Sequence, residues 1–240
     1  MLKFTNEHLL TNIICAANGG RLGYNMKKIL LCAFDAFGGE KINPALEASK
    51  LVRAKGVLLE ICEVPTVFYK SINTVTQKID EFTPDAVIML GQAGGRDKIT
   101  PERVAINVSD ARISDNEGNQ PTDEPVIKGA PAAYFSTLPI KAIAERLSQE
   151  GIPAAISNSA GTFVCNHLMY GVLRHVSTNK LNAIAGFVHV PYLPEQVRDR
   201  ENTPSLSLKT DVKAIGLIIE EVVKYLEEKE VLCQSSYVEA

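Results

Sequence analysis

Several features that mark specialised protein classes are missing from this sequence of 240 residues. It has no tryptophan, its five cysteines are scattered without a C-x-x-C pair, and no apolar run reaches the roughly 18–20 residues that span a bilayer. Lys and Arg (25) nearly balance Asp and Glu (28), so the net charge is −3 and no basic face is indicated for nucleic acid. The composition predicts a globular protein, and the unpaired cysteines fit a reducing, cytoplasmic compartment.

Residues 1–25 stand apart from the rest of the chain. Leu9–Ala17 is an apolar stretch like that of a signal peptide, but Thr11 and Asn12 dilute it. We expect this segment to be a disordered extension, or the product of an upstream start codon with the true beginning at Met26. We expect residues 26–240 to form one α/β domain, because no repeat or linker divides them.

From Lys27 onward, short apolar runs alternate with amphipathic stretches. Strands without polar alternation, separated by amphipathic helices, predict a mainly parallel twisted sheet with helices on both faces, a three-layer α/β/α sandwich. The predicted strands are Ile29–Phe34, Val57–Val64, Ala86–Leu90, Val104–Val108, Ile152–Ile156 and Ala183–Val190. The predicted helices are Ala45–Ala54, Tyr69–Phe82, Ile140–Gln149, Thr162–His175 and Val212–Glu228.

The segment Asp110–Pro131 interrupts this alternation. It is polar and rich in Gly, Pro, Asn and Asp, and loops of such length inside a compact domain are often functional. Ligand sites in open α/β sheets lie at the carboxyl ends of the strands. We therefore expect this loop to lie near a functional site.

Cys165 is the cysteine with an electrostatic reason to react. It follows a predicted strand and a polar turn, and Thr162 suits the N-cap of the next helix. Cys165 then lies in the first helical turn, where free amides and the helix dipole lower a thiol pKa. Cys32 and Cys62 lie within apolar strands, where burial disfavours the thiolate. The alternative for Cys165 is a small buried hydrophobic residue.

A nucleophilic cysteine needs a base, and His189 is the best placed of four histidines. It ends a predicted strand, at the edge of the sheet where a site is expected. On a helix, His167 and Cys165 point about 200° apart, so a structural role suits His167 better. A lone histidine on an apolar strand is also compatible with a core position.

A third group would hold the imidazole in one orientation, and Glu102 is the candidate. It follows Pro101 and precedes a predicted buried strand. Glu102 could instead pair with Arg96 or Arg103 across the turn. The sequence alone does not choose between these interpretations.

Four blocks of sequence, in order, resemble the pyroglutamyl peptidase I family of cysteine peptidases, also called pyrrolidone-carboxylate peptidases. They span almost everything from Met26 onward, with Glu before Cys before His. The blocks are Phe34–Glu40 with Asn43–Pro44; Gly91–Arg96, Glu102–Asn107 and Ala111–Ile113; Asp115–Pro121; and Ala160–His167 with Gly186–Pro191.

The resemblance implies a thiol exopeptidase that removes an N-terminal pyroglutamyl residue from peptides and proteins. It implies that Cys165 is the nucleophile, His189 the general base and then acid, and Glu102 the carboxylate that orients His189. Arg112 would support the oxyanion together with the Cys165 amide. The family also implies a homotetramer. We expect no cofactor, no metal, no nucleic acid and no membrane partner.

A pyroglutamyl ring is small, flat and uncharged, so it needs an apolar slot with few polar partners. The residues that match the family's pocket positions are Phe34, Phe37, Thr66, Gln92, Ile113, Phe163 and Val164. The opening block departs from the family pattern. Cys32-Ala33 replaces Thr-Gly, and Ala36 replaces Pro.

Two alternative functions follow from the same residues. One is a cysteine-dependent amidase acting on a related lactam or small amide. The other is a catalytically silent α/β protein that binds a small ligand, which the altered opening block would favour and the intact Cys165, His189 and Glu102 oppose. A nucleotide-binding fold has little support, because Gly91-x-x-Gly94-Gly95 lacks the G-x-G-x-x-G spacing.

Overall fold

A computed structural model describes residues 26–236 of the chain. The expectations about residues 1–25 lie outside the described residues. The strands are β1 (Lys27–Phe34), β2 (Val57–Val64), β3 (Ala86–Gln92), β4 (Thr100–Pro101), β5 (Val104–Ile106), β6 (Ala133–Phe135) and β7 (Ile184–Val190). The helices are α1 (Pro44–Leu51), α2 (Lys70–Phe82), α3 (Ile140–Gln149), α4 (Val164–Thr178) and α5 (Leu208–Ser236), with a 3-10 turn at Pro194–Gln196.

A five-stranded sheet forms the middle layer, in the order β2-β1-β3-β7-β4. The first four strands are parallel, and the short β4 runs antiparallel to β7. Strands β5 and β6 form a separate antiparallel pair. Because the four parallel strands run in one direction, their carboxyl ends lie along one edge of the sheet.

The residues of β1 alternate between two buried cores, since successive side chains of a strand point to opposite faces. Ile29, Leu31 and Ala33 pack with α1, α3 and α5, whereas Leu30, Cys32 and Phe34 pack with α2 and α4. Helices therefore cover both faces, and the predicted three-layer α/β/α sandwich is confirmed.

Helix α1 begins with a cap that the sequence encodes locally. The Asn43 side chain accepts a hydrogen bond from the Ala45 amide at 3.1 Å, and Pro44 occupies the first turn, where no amide donor is needed. The Asn43 amide group also donates to the carbonyl of Asp35 at 2.9 Å. The cap thus ties the start of α1 to the loop that follows β1.

Two sequence predictions of local structure are wrong. Ile152–Ile156 is not a strand, because its neighbourhood makes only isolated bridges, one of them between Ile99 and Ala154. Thr162 is not the N-cap of α4. Phe163 holds that position without a side-chain cap, and the Thr162 hydroxyl donates instead to the carbonyl of Asp110 at 2.7 Å.

Helix α5 is 29 residues long. Its sequence mixes charged residues with apolar ones along the whole length, as amphipathic surface helices do. Within residues 26–236, no helix combines the length and the apolar character needed to cross a membrane.

Candidate active site

Cys165 and His189 both lie at the carboxyl edge of the sheet, on the face that α2 and α4 cover. His189, near the end of β7, is the register partner of Gly91 near the end of β3. A side-chain carbon placed on Gly91 would lie 3.3 Å from the Cys165 sulfur and 2.8 Å from Cζ of Phe187. The absence of a side chain at Gly91 therefore lets the Cys165 sulfur lie over β3, beside the strand that carries His189.

Glu102 is held against His189 by the short strand β4. Thr100 and Pro101 pair with β7, and the Glu102 amide donates to the carbonyl of Phe187 at 2.8 Å. The carboxylate Oε1 of Glu102 then lies 2.7 Å from Nδ1 of His189. Both side chains are buried, with Glu102 wholly inaccessible.

Arg96 extends the contact between His189 and Glu102 to a row of three residues. Its position also decides which of the two candidate arginines, Arg96 or Arg103, pairs with Glu102. Its guanidinium lies 2.6 Å from Oε1 of Glu102, so Glu102 contacts both His189 and Arg96. Arg103 points elsewhere and donates to the side chain of Asn158 at 2.7 Å. Sequence reasoning named Arg96 only as a competitor of His189 for Glu102.

The charge states of the pair follow from its surroundings. Burial raises the pKa of Glu102, but hydrogen bonds from His189, Ser157 and Arg96 outweigh it, so the net shift is downward. Burial lowers the pKa of His189, and the neighbouring Glu102 offsets only part of that shift. Glu102 is thus ionised and His189 neutral at pH 7. Since a carboxylate only accepts hydrogen bonds, Nδ1 of His189 carries the proton and Nε2 keeps its lone pair.

The Cys165 thiol is protonated in this site, contrary to the prediction from the helix dipole. Burial raises the pKa of Cys165 to about 12, and the negative charge of Glu102 adds to this rise. Arg96 and the Cys165 amide act in the opposite direction without compensating. The predicted position in the first turn of α4 is confirmed, but desolvation outweighs the effect of the helix end.

The start of α4 also offers donors for a developing negative charge. The first hydrogen bond within this helix joins the His167 amide to the Phe163 carbonyl at 3.1 Å. The amides of Val164 and Cys165 precede it, at the positions that lack a partner inside the helix. Arg112 lies on the exposed loop before Ile113, and among the described residues its side chain has no hydrogen bond or ion pair.

Aromatic residues line the space beside Cys165. The rings of Phe37 and Phe163 lie 5.9 Å apart, and both are partly exposed. Phe34 is buried against Phe187 at 6.1 Å. Ile113 is half-exposed and lies close to Gly38 on the loop after β1. Of these predicted pocket residues, Phe37 and Phe163 therefore contact each other, Phe34 contacts Phe187, and Ile113 borders the loop after β1.

The side chains of three other predicted pocket residues are turned away from His189 or buried. Gln92 is the register partner of Val190, so its side chain points to the face opposite His189 and meets Gln196 at 2.8 Å. Thr66 is buried and its hydroxyl donates to the carbonyl of Asp35. Val164 is fully buried in the core.

Sequence reasoning missed the residues that hold the pocket in shape. Asp115 accepts the amides of Phe68, Glu117 and Asn119 at 2.8, 2.9 and 2.8 Å, and so ties the Asp110–Pro131 loop to the start of α2. The signal available in the sequence was that Asp115 lies within one of the blocks that resemble the family.

Two neighbours of Cys165 on α4 also act as supports. The Asn166 side chain bonds the backbone of Ile106 in both directions at 2.9 Å. His167 accepts the Tyr69 amide at Nε2, so its Nδ1 donates to the Ser109 hydroxyl at 2.9 Å. Burial lowers the pKa of His167 to about 4, which keeps this imidazole neutral. His167 therefore has the structural place expected for it.

The described residues contain no group of three or more His, Cys, Asp or Glu side chains that could hold a metal ion.

An α/β sandwich whose sheet edge brings together a cysteine, a histidine and a carboxylate is the arrangement of a cysteine peptidase. The family model for pyroglutamyl peptidases matches residues 27–225. The chain therefore belongs to the pyroglutamyl peptidase family.

Individual relatives agree with this assignment. The chain is 54% identical over 199 residues to pyrrolidone-carboxylate peptidase 1 of Caldanaerobacter subterraneus subsp. tengcongensis, a match that covers 82% of this chain and 98% of that protein. Its fold is similar to the crystal structure of pyroglutamyl peptidase I from Bacillus amyloliquefaciens, with a TM-score of 0.79 and 49% identity over 82% of this chain and 95% of that one. It is also similar to a mutant pyrrolidone carboxyl peptidase from Pyrococcus furiosus, with a TM-score of 0.80 and 43% identity over 83% and 99%.

Proposed function

We propose that this chain hydrolyses the amide bond after an N-terminal pyroglutamyl residue, with Cys165 as nucleophile, His189 as general base and acid, and Glu102 as the orienting carboxylate. The observation that carries the proposal is the hydrogen-bonded row Arg96–Glu102–His189 beside the Cys165 sulfur.

The first half of the reaction forms a thioester. Nε2 of the neutral His189 takes the Cys165 proton as the sulfur attacks the pyroglutamyl carbonyl. The Cys165 amide, with Arg112 as a further donor, stabilises the oxyanion. The imidazolium of His189 then gives its proton to the leaving amine, and the C–N bond breaks.

The second half reverses these roles with water. His189 takes a proton from water, whose oxygen attacks the thioester, and the sulfur of Cys165 leaves and recovers a proton. Free pyroglutamic acid is released. Ionised Glu102 stabilises the imidazolium in both halves and keeps Nε2 directed at the reacting atoms.

The pocket suits an uncharged ring. The partly exposed rings of Phe37 and Phe163 pack against each other, and Phe34 is buried against Phe187, so apolar aromatic surface is available for the ring. No charged side chain is needed for a pyroglutamyl terminus, because it carries neither an amine nor a carboxylate.

The decisive experiment compares hydrolysis of a pyroglutamyl fluorogenic amide by the wild type, Cys165→Ala and the matched control Cys62→Ala under reducing conditions. We expect turnover by the wild type and the control, and a loss of at least about 10³-fold in Cys165→Ala. Prolyl and glutamyl amides should remain uncleaved. Turnover of other small amides but not of the pyroglutamyl one would indicate an amidase, and binding without any turnover a silent binding protein.

We also propose that the enzyme works as a cytoplasmic homotetramer on peptide substrates, as the resemblance to the family implies. Large apolar side chains stand on the surface of the described residues, with Phe135 66% exposed, and such side chains are often covered in assemblies. Light scattering on the purified protein should give the mass of four chains. The mass of a single chain would refute the assembly without affecting the peptidase proposal.

A further inference from the structure

Cys32 and Cys62 lie side by side in the sheet, away from the Cys165 site. They are register partners in the parallel pairing of β1 with β2, and both side chains enter the core beneath α2 and α4. Neighbouring strands lie about 4.8 Å apart, which is within the Cα separation of about 4.4–6.8 Å that a disulfide bridges. Both are free thiols in this structure.

The two thiols differ in access. Strand β2 is the edge strand of the sheet, and Cys62 retains 7% exposure, whereas Cys32 on β1 is fully buried. A small solute therefore reaches Cys62 first.

The two thiols also differ in acidity. The neighbouring Cys32 lowers the pKa of Cys62, and the ammonium of Lys78 on α2 adds to this, against the opposing effects of burial and Glu60. Burial raises the pKa of Cys32 well above its ordinary value. Burial thus disfavours the thiolate at both cysteines, as predicted, but at Cys62 the effects of Cys32 and Lys78 outweigh it and the net shift of the pKa is downward. An edge-strand thiol with a lowered pKa beside a fully buried thiol with a raised pKa is the asymmetry of a redox-active pair.

We propose that Cys32 and Cys62 form a reversible dithiol–disulfide site that small hydroperoxides oxidise, separate from the catalytic cysteine. The Cys62 thiolate attacks the terminal oxygen of the hydroperoxide, which breaks the O–O bond and leaves a sulfenic acid on Cys62, with hydroxide released from hydrogen peroxide or an alkoxide from an organic hydroperoxide. The Cys32 thiol then attacks the Cys62 sulfur. The S–O bond breaks, the S–S bond forms, and the hydroxyl leaves as water with the Cys32 proton. The two sulfurs lose two electrons, and the peroxide oxygens gain them.

The pair lies one step along the strand from the proposed pocket. Cys32 is two residues before Phe34 on the same face of β1, and Phe34 contacts Phe187. The Cys165 thiol, whose pKa is about 12, is the slower of the two sites to react with a peroxide. Cys62 is therefore expected to be consumed before Cys165. This site does not depend on the proposed peptidase reaction.

The departure from the family pattern supplies the test variant. Thr stands at the position of Cys32 in the usual opening block, so Cys32→Thr restores a side chain that fits there but cannot form a disulfide. We would treat Cys165→Ala and Cys165→Ala/Cys32→Thr with equimolar hydrogen peroxide in the presence or absence of dimedone. Both would then be alkylated, digested without reduction and mapped by mass spectrometry.

We expect a peptide pair linked through Cys32 and Cys62 in the first protein, which dithiothreitol separates. The Cys32→Thr protein should instead show a dimedone adduct on Cys62, because the resolving thiol is missing. Cys32 and Cys62 both alkylated and unlinked after unfolding would overturn the proposal. A link from Cys62 to Cys15 or Cys233 instead of Cys32 would also overturn it.

Discussion

At the scale of single residues, the site consists of groups whose charge states depend on one another. Glu102 holds its charge in a buried place because His189 and Arg96 both contact the same carboxylate oxygen. The same negative charge raises the pKa of the neighbouring Cys165. The free enzyme therefore keeps a neutral thiol beside a neutral imidazole rather than an ion pair. In the proposed reaction, the nucleophile is generated when His189 takes the proton during the attack.

This arrangement predicts a specific pH dependence for the catalytic pair. His189 loses its function as a base only when it is protonated, and its pKa is lowered, so the acid limb of kcat/KM should lie below pH 6.5. Alkylation of Cys165 by iodoacetamide, followed as loss of activity, should rise about tenfold per pH unit from pH 7 to 10 without a plateau. A plateau with an apparent pKa below 7 would contradict the neutral pair.

Glu102→Gln should lower kcat by about 10²–10⁴-fold, with the exposed Glu145→Gln as control.

At the scale of elements, a very short strand and a loop position functional groups relative to the long strands and helices. The two residues of β4 align Glu102 with β7, and the loop after β5 reaches over to α2 through Asp115. Asn166 connects α4 to β5. Each connection depends on a side chain that bonds backbone groups far away in sequence. The Asp110–Pro131 loop is thus tied to the start of α2 through Asp115 and to the turn before α4 through Asp110 and Thr162.

Removing the Asp115 carboxylate should loosen this loop. Asp115→Ala leaves the amides of Phe68, Glu117 and Asn119 without their acceptor, which should cost about 2–4 kcal/mol of unfolding free energy. KM for a pyroglutamyl amide should rise more than kcat falls, because the pocket shifts while Cys165 and His189 stay in place. Asp115→Asn should be intermediate, and the exposed Asp110→Asn on the same loop should match the wild type. An unchanged KM in Asp115→Ala would refute the positioning role.

At the scale of the whole molecule, one buried carboxyl group links stability to pH. Asp211 lies in the first turn of α5, is fully inaccessible, and neither of its oxygens has a hydrogen-bond partner among the described residues. Burial raises the pKa of Asp211 to about 7. The folded protein therefore keeps Asp211 protonated at a pH where the unfolded chain has released that proton.

The sign of the effect follows from this difference. The contribution of Asp211 to stability is complete below pH 3.8, decreases as pH rises from about 4 to 7, and is lost above the folded pKa of about 7. Asp211→Asn mimics the protonated form, so it should stabilise the protein by at most about 4 kcal/mol at pH 8 and by less than half as much, at most about 2 kcal/mol, at pH 5. Urea unfolding at both pH values measures this, with the exposed Asp199→Asn as control. An equal effect at both pH values would contradict the assignment.

The sequence by itself determined the fold class and most of the chemistry. Hydrophobic periodicity is a local property, so Ile140–Gln149 and Val57–Val64 were predicted with the observed bounds. The order of Glu102, Cys165 and His189 within resembled blocks was also readable, because a family pattern is written along the chain. The pattern missed β4 and β6, since strands of two and three residues carry too little periodicity to detect.

Only the tertiary structure decided which charges meet and how far they are from water. It assigned Arg96, rather than Arg103, to Glu102, and it placed the Gln92 side chain on the face opposite His189. It also reversed the expected pKa shifts of Cys165 and Cys62, because desolvation and through-space partners come from segments distant in sequence. Burial and contact are properties of the assembled layers, and no local pattern contains them.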